Sequence, residues 1–599
     1  MHDGAQAFDL VERSAAWWQR LLGSAAERLL GLAALRDAKQ AVDRRLGVPT
    51  TRPTAATWLG AARDWLRLDV DLPEGDLARV PTQGPVLVVA EHPTGAMEGL
   101  LLLATLLRHR PDVKVLANRW LCRLPALADL VIPVDVHRDD NTSALRASLR
   151  HLRAGGALLA FPAGEVARRP WLGRKPREGR WRATFAGLQR MAKAPVVPVH
   201  VGARNPRWIE RLGMLHPSAP TALLPRALLA QRGAKVTLRV GHGIAANQLE
   251  RFGDDDVERA DYLRLRTEIL SRRVAAPKRH VQPQRLLAPL VARACEQALA
   301  AEIASLPADT HLLTSNGMQV FCAPASLLPR TVAEIGRLRE RTFRAAGEGS
   351  GRASDLDDFD AHYRHLFVWD EATREIVGSY RLGLSDELIR GSDARGLYTA
   401  GFYDYAPEFW QRLSPAIELG RAFVTPERQR SFAPLLLLWR GIGAFVARHP
   451  RYRHLFGTVS IAADHHVTSV RLMVDHLRSH CLARELAPLV RSRRPWRAAR
   501  HDQRSLQWRA PQIAELPDVS AMVRELETNR SGVPVLMEQY LKLGAKLLGV
   551  NVDPEFQTID ALVLVDLLRT PPHLLQRYLG AAGVQALERE HGKEPASEV

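Results

Sequence analysis

Apolar residues in the first half of the chain gather into short runs, "PVLVVA", "VKVLA", "LVIPVD", "ALLAFP", "PVVPVHV" and "KVTLRVG". Between these runs, apolar positions recur at three- and four-residue spacing, as in "GLLLLATLLRH" and "SALRASLRHLRAG", the second closing on glycine as helix C-termini do. Strand alternating with helix predicts an α/β domain on a largely parallel sheet, whose chemistry belongs at the carboxyl ends of the strands. Further along the pattern changes. "MQVFCAP", "HLFVWD", "EIVGSYRLGL", "AIELGRAFV" and "HLFGTVSI" read as strands with few helices between them, notably "APLLLLWRGIGAFVARHP". Hairpin-like neighbours such as "HLFVWDEATREIVGSYRL" predict an α+β domain with a mixed, mainly antiparallel sheet. A charged, proline-containing stretch at 272–285 and an expected helix "LLAPLVARACEQALAAEIASL" separate the two patterns. The expected organisation is a helical segment at 1–79, an α/β domain at 80–275, linker and helix at 276–309, an α+β domain at 310–585 and a tail at 586–599.

A chain of 599 residues exceeds one core, and 46% hydrophobic with 25% charged residues is ordinary for a globular protein. The net charge of +18 points to acidic partners: nucleic acid, anionic headgroups or an acidic carrier protein. Cys122, Cys295, Cys322 and Cys481 form no CxxC pair, which argues against a disulfide framework or zinc ribbon and fits a reducing cytoplasm. No apolar run reaches the roughly 18 residues that span a bilayer, and the start lacks the basic-then-apolar order of a secretion signal. "WWQRLLGSAAERLLGLAAL" fits either an interfacial amphipathic helix or a helix packed on its own domain.

In "VVAEHPTGAMEGL" a strand ends and His92 follows directly, then a small-residue bend, then Glu98. Residues six apart on one helix do not face each other, so the two side chains meet only if His92 sits in the turn before the helix. A histidine with a carboxylate on its far nitrogen is a general base: the carboxylate holds the tautomer and stabilises the imidazolium. "LANRWLCRLP", "FPAGEVAR" and "APVVPVHV" follow in order. Together these blocks resemble the glycerophosphate and lysophospholipid acyltransferase family over about residues 80–275. The resemblance implies direct acyl transfer from a thioester to a lipid hydroxyl, without metal or covalent intermediate. It implies His92 as base, Glu98 as its partner, and Gly164 and Glu165 near the acceptor's polar group. Two departures stand out: the acid is Glu98, one residue later than the aspartate of HxxxxD, and FPAGE carries Ala163 where FPEGT has glutamate. The altered block suits an acceptor lipid lacking a glycerophosphate. Arg168, Arg169, Arg174, Lys175, Arg177, Arg180 and Arg182, interleaved with Trp171 and Trp181, read as a membrane-facing patch.

In the second half, "EIGRLRERTFRAAGEGSG", "DLDDFDAHYRHLFVWD", "IVGSYRLG" and "IELGRAFV" resemble the GNAT-superfamily acyltransferases that acylate the α-amine of ornithine, and more distantly the acyl-homoserine lactone synthases. The C-terminal "GVPVLMEQYLKLGAKLLGVNVDPEFQTIDALVLVDL" extends the likeness over about residues 310–580. An α-amine attacks a thioester only after losing a proton. Glu418 in "ELGR" is the expected base, with Arg421 orienting it or pairing with a substrate carboxylate. Asp357, Asp358 and Asp360 suit a cationic amino acid and Arg381 a carboxylate, while Arg339 and Phe343 match the RxxxF pattern of the lactone synthases. "TPERQRSFAPLLLLW" stands where many GNAT domains have a glycine-rich pyrophosphate turn. Its lack of glycine favours acyl carrier protein as donor, with acyl-CoA permitted, and Arg428 and Arg430 would meet that acidic carrier.

The whole order resembles the fused ornithine-lipid synthases of bacteria, which implies N-acylation of ornithine by the second domain and O-acylation of the lyso-lipid by the first. Glycine, serine or lysine are the alternative acceptors. A noncatalytic basic membrane- or nucleic-acid-binding protein on an acyltransferase scaffold is the competing class. The expected partners are acyl carrier protein, a membrane lipid surface and an amino acid, with no bound cofactor, no nucleic acid and no metal: neither "DHH" at 464–466 nor "HYRH" has a second ligand set. The expected location is the cytoplasm, peripheral on the inner membrane's cytoplasmic face. "RSRRPWRAARHDQR" at 491–504 reads as a carrier- or membrane-facing patch.

Overall fold

A computed structural model describes residues 32–46, 54–134, 141–167, 178–210, 223–273, 287–391, 393–431, 433–462, 465–498, 515–527 and 532–592. Most of the N-terminal amphipathic segment, the basic run at 168–177, most of the boundary stretch at 272–285 and residues 499–504 lie outside the described residues. The chain divides into two compact units, residues 1–276 and 277–599.

The first unit is built on seven strands: β1 (Asp69–Asp71), β2 (Val86–Ala90), β3 (Lys114–Asn118), β4 (Val131–Val134), β5 (Ala157–Ala160), β6 (Val196–Gly202) and β7 (Lys235–Val240). Their order is β1-β7-β6-β2-β5-β3-β4, and every pairing is parallel except β6 with β7. All six apolar runs read from the sequence are strands; the short β1 carried no such run. β2 stands at the centre with each of its five residues fully buried, which explains why it reads as an unbroken apolar run rather than an alternating one. β6 and β5 flank it, so three adjacent strands deliver their following loops to one edge. The helices Met97–Leu107 and Thr142–Arg153 occupy the two stretches of helical spacing, the second ending before Gly155 at φ 88°.

The second unit carries β8 (His311–Ser315), β9 (Met318–Pro324), β10 (Arg364–Asp370), β11 (Glu375–Leu384), β12 (Tyr403–Tyr405), β13 (Ala416–Val424), β14 (His454–Ala462), β15 (Val490–Ser492), β16 (Lys546–Asp553) and β17 (Thr558–Asp566). Eight of them form one sheet in the order β16-β17-β14-β13-β11-β10-β9-β8, while β12 and β15 pair apart from it. The sheet is antiparallel except between β13 and β14. Those two pair only where Ala416–Glu418 meet His454–Phe456, and part beyond. The expected helix at 286–306 is shorter than its pattern: only Glu296–Ala304 is helical. Ahead of it the backbone amides of Ala288 and Val291 donate to Gly351 and Ala353 at 3.0 Å each, and Pro289 has no amide to give a helix.

Candidate functional site

In the first unit, the chain leaves β2 at Glu91, turns through His92–Ala96 with Gly95 at φ 98°, and enters the helix Met97–Leu107. A side chain at Gly95 would strike Leu224 and Val166 within 2.7 Å, so the turn needs glycine for space as well as for φ. The bend brings His92 Nδ1 to 3.1 Å from Glu98 Oε1, an ion-pair contact without the alignment of a full hydrogen bond. Glu98 is completely buried, whereas His92 keeps 19% of its side-chain surface open. A lone buried carboxylate costs several kcal/mol, which donors must offset. Here the Thr94 and Gly95 amides donate at 2.9 and 2.8 Å, and the Thr94 hydroxyl donates to the other oxygen. Burial opposes ionisation, but His92 and these donors outweigh it, and the Glu98 pKa is lowered.

The FPAGE loop after β5 closes one side of this turn. The Phe161 ring lies 4.5 Å from the His92 ring, and the Ala167 amide donates to the His92 carbonyl at 3.2 Å. Gly164 adopts φ 67° beneath the Arg182 guanidinium, and the Glu165 carboxylate lies against Gly179. Ala163 is buried, so this position presents no charge to an acceptor. Trp181, expected at a membrane surface, is 5% exposed, and its Nε1 donates to Glu178 at 2.9 Å. Its neighbours Arg180 and Arg182 are exposed.

Glu178 was missed in the sequence. Its carboxylate accepts the His92 backbone amide at 2.6 Å as well as the Trp181 indole, tying the strand end to a loop 86 residues away. Burial, then the charge of Glu91, raises its pKa to about 7. Glu91 itself pairs with His200 at the end of β6. No local spacing reveals such a contact; only the order β6-β2-β5 assembles it.

In the second unit the candidate residues form a charged network where β13 leaves β14. Arg339 is buried on the helix Pro329–Ala346 and holds Asp360 with two bonds of 2.9 and 2.8 Å and Asp355 at 3.1 Å. Arg381 on β11 bonds Asp357 and lies 3.4 Å from Asp360. Arg421 reaches Asp355 and Asp357 at 3.6 Å each. Burial would raise the Asp360 pKa, but the Arg339 hydrogen bonds and the charges of Arg339 and Arg381 hold it well below the usual range. Asp357 and Asp360, two of the three acids expected to receive a cationic amino acid, are therefore engaged by arginines of the same chain. Asp358 sits in the short turn 358–361 that Asp357 caps. Of the two residues matched to the lactone-synthase pattern, Arg339 is enclosed by its two acids, and Phe343, partly buried, packs against a core containing Leu299, Phe321 and Trp369. The RxxxF spacing puts one residue under the network and the other in the core.

Arg421 is placed by a bulge. Arg381 pairs with Gly420 but Ser379 with Phe423, so β13 holds an extra residue there, and Arg421 takes φ 50°. Its guanidinium lies 5.1 Å from the Tyr398 ring and 4.6 Å from the Phe556 ring. Arg381 also lies over the Tyr398 ring, at 5.1 Å.

Glu418, the expected base, is 2% exposed. The Tyr363 hydroxyl donates to it, as do the amides of Tyr398 at 3.1 Å and Thr399 at 2.8 Å. Its oxygens anchor the Tyr398–Gly401 turn. Arg428 donates to Asp370 at 2.9 Å and is about a third exposed, while Arg430 is exposed. His466 caps the helix Val467–His480 through the Thr468 amide, and the described residues contain no group of three or more His, Cys, Asp or Glu arranged to hold a metal. No described helix is long and apolar enough to cross a membrane.

Residues 63–276 match the family described as acyltransferase, and residues 338–440 match the acetyltransferase (GNAT) domain family. The chain is 30% identical to glycine Nα-acyltransferase of Bacteroides thetaiotaomicron over 283 residues, 44% of this chain and 82% of that protein. It is 31% identical over 139 residues to lyso-glycine lipid O-acyltransferase of the same organism, covering 23% of this chain and half of the relative. The crystal structure of the 1-acyl-sn-glycerophosphate acyltransferase PlsC from Thermotoga maritima aligns with 43% of this chain and 98% of its own, at 17% identity and a TM-score of 0.27.

Proposed function

The chain belongs to the bacterial N-acyltransferase family that includes glycine Nα-acyltransferase, and from that premise we propose that it builds an aminolipid by two successive acyl transfers. The second unit acylates the α-amine of an amino acid with a 3-hydroxyacyl group, and the first esterifies the hydroxyl so introduced. The observation that carries this reading is the His92–Glu98 contact of 3.1 Å at the end of the central strand, inside the region matching an acyltransferase and on the same chain as a GNAT domain.

In the O-acylation, His92 removes the proton of the lyso-lipid hydroxyl as the oxygen attacks the thioester carbonyl. Glu98 stabilises the imidazolium, and the proton passes to the departing thiolate. Gly164 and Glu165 border the acceptor's polar end. In the N-acylation, Arg381 and Arg421 take the amino acid's carboxylate, and Asp357 and Asp360 hold those arginines in place. Glu418 keeps Tyr398 against them. Acyl carrier protein is the donor, met by Arg430 and the exposed part of Arg428. With its charge of +18, the protein works at the cytoplasmic face of the inner membrane.

Ornithine is the acceptor of first choice, because a buried acid, Asp553, remains near Tyr398 outside the arginine-bound set. Glycine is the second reading, favoured by the relatives' names and by the engagement of Asp357 and Asp360. Lipid mass spectrometry of a bacterial host lacking aminolipids tests both. Wild type yields a diacylated aminolipid whose headgroup mass names the amino acid, and His92→Ala accumulates the N-acylated lyso-lipid. Absence of any aminolipid with wild type overturns the proposal.

A further inference from the structure

With Glu418 engaged by three donors and Asp355, Asp357 and Asp360 bound to arginines, another group must take the proton of the acceptor amine. The β16–β17 hairpin supplies a pair of buried acids, Asp553 and Asp560. Asp560 faces Ser460 across the β14–β17 pairing, on the part of β14 that no longer touches β13. Its carboxylate accepts the Thr558 hydroxyl at 3.0 Å, and Ser460 is its register partner on the neighbouring strand. Ser460 is exposed, so the buried acid stands one hydroxyl from solvent. Asp553 accepts the amides of Glu555 and Phe556, which sets the turn that lays Phe556 against Arg421. Opposite, the described residues leave Nε of Arg421, and Nε and Nη2 of the fully buried Arg381, without a hydrogen-bond partner. Buried guanidinium donors without acceptors call for an anion. Tyr398 touches both arginines and feels the charge of both aspartates.

We propose that this site takes a zwitterionic α-amino acid whose carboxylate lies on Arg381 and Arg421 and whose α-ammonium gives its proton to Asp560. The inference rests on the N-acylation proposed above and deepens it. The ammonium binds as the cation and passes one proton to Asp560. The freed lone pair attacks the thioester carbonyl, the C–N bond forms, and the C–S bond breaks. The second nitrogen proton goes to the leaving thiolate, and Asp560 releases its own to water. A carboxylate suits this task only if its affinity for the proton is raised. Burial raises the pKa of Asp560 to about 6; the Ser460 and Thr558 hydroxyls lower it, Asp553 raises it, and Arg421 lowers it. Tyr398 and Tyr403, also beside it, are held neutral by burial.

The test is the pH profile of N-acylation by the full-length chain, with acyl carrier protein loaded with a 3-hydroxyacyl group and with glycine and ornithine as alternative acceptors. For wild type, kcat/KM rises through a limb near pH 6 and is level above it. Asp560→Asn lowers kcat by about 10²–10⁴-fold with every accepted amino acid, the range of a lost general base. Ser460→Ala, an exposed change that preserves the fold, moves the limb upward and keeps the plateau. A wild-type limb at the acceptor amine's own pKa, or full activity in Asp560→Asn, overturns the assignment. So does a loss confined to ornithine, which would make Asp560 a side-chain contact. An Asp560→Asn chain without the wild-type circular dichroism leaves the decision to Ser460→Ala, whose unmoved limb also overturns it. Failure of wild type to acylate any amino acid counts instead against the N-acylation itself.

Discussion

Glu98 and Glu418 make an instructive pair. Both are carboxylates with 2% exposure or less, and both accept two backbone amides and one hydroxyl, Glu98 from the first turn of a helix and Glu418 from within β13. They differ in what else they touch. One oxygen of Glu98 meets an imidazole that opens to solvent, while the remaining contacts of Glu418 lead back to Tyr363 and its own turn. Burial and hydrogen bonding therefore describe a held carboxylate and say little of its task; the mobile proton carrier beside it decides.

Glu98→Gln is the largest expected effect. The amide keeps the volume but loses the charge that stabilises the imidazolium, and its NH₂ must face a donor. O-acylation of supplied lyso-lipid should fall about 10²–10⁴-fold while N-acylation is unchanged. Intact O-acylation in that variant, with His92→Ala inactive, would put the carboxylate in a purely structural role and erase the difference from Glu418.

Glu418→Gln should behave otherwise. Each buried donor left unmatched costs about 1–3 kcal/mol, so the second unit loses stability first, and N-acylation falls about tenfold through disorder of the Tyr398 turn. The pH limb stays where it is. An inactive variant with undiminished thermal stability would show that Glu418 handles the proton after all, and the contrast would collapse.

The two sites were unequally legible in the sequence. His92 and Glu98 lie six residues apart, so one turn decides their meeting and a reading of strand, bend and helix suffices. The FPAGE loop followed because it ends a strand next to β2. In the second unit the residue types were legible and their partners were not. An Asp-rich run reads as a cation site until three arginines from separate elements are found upon it. Phe343 followed a spacing shared with another family, but helical geometry turns it into the core. Asp560 and Glu178 had no signal, because each acquires its role from a strand or loop far away in sequence.

Glu178 gives a smaller effect, opposite in sign to that of Glu98. Its folded pKa of about 7 exceeds the ordinary 4.5, so the folded state holds the proton more tightly. That contribution is complete below about pH 4.5 and is lost as pH rises through about 7, amounting to about 3 kcal/mol at most. Hydrogen exchange of the β2 amides in the full-length chain, corrected for intrinsic rates, should show wild type losing protection between pH 5 and 8. Glu178→Gln should not. A flat wild-type response would mean that the bonds from His92 and Trp181 keep the group ionised throughout.

Phe343→Leu should be the mildest change, and it separates core from site in the second unit. The ring packs beside Leu299, Phe321 and Trp369, where exchanging one hydrophobe for another of similar size costs less than about 1.5 kcal/mol. Arg339, one helical turn before it, holds Asp355 and Asp360 through polar atoms that the substitution does not touch. The melting temperature should fall slightly and KM for the amino acid should stay within twofold. A tenfold rise in KM at unchanged stability would return Phe343 to the acceptor site and extend that site along the helix Pro329–Ala346.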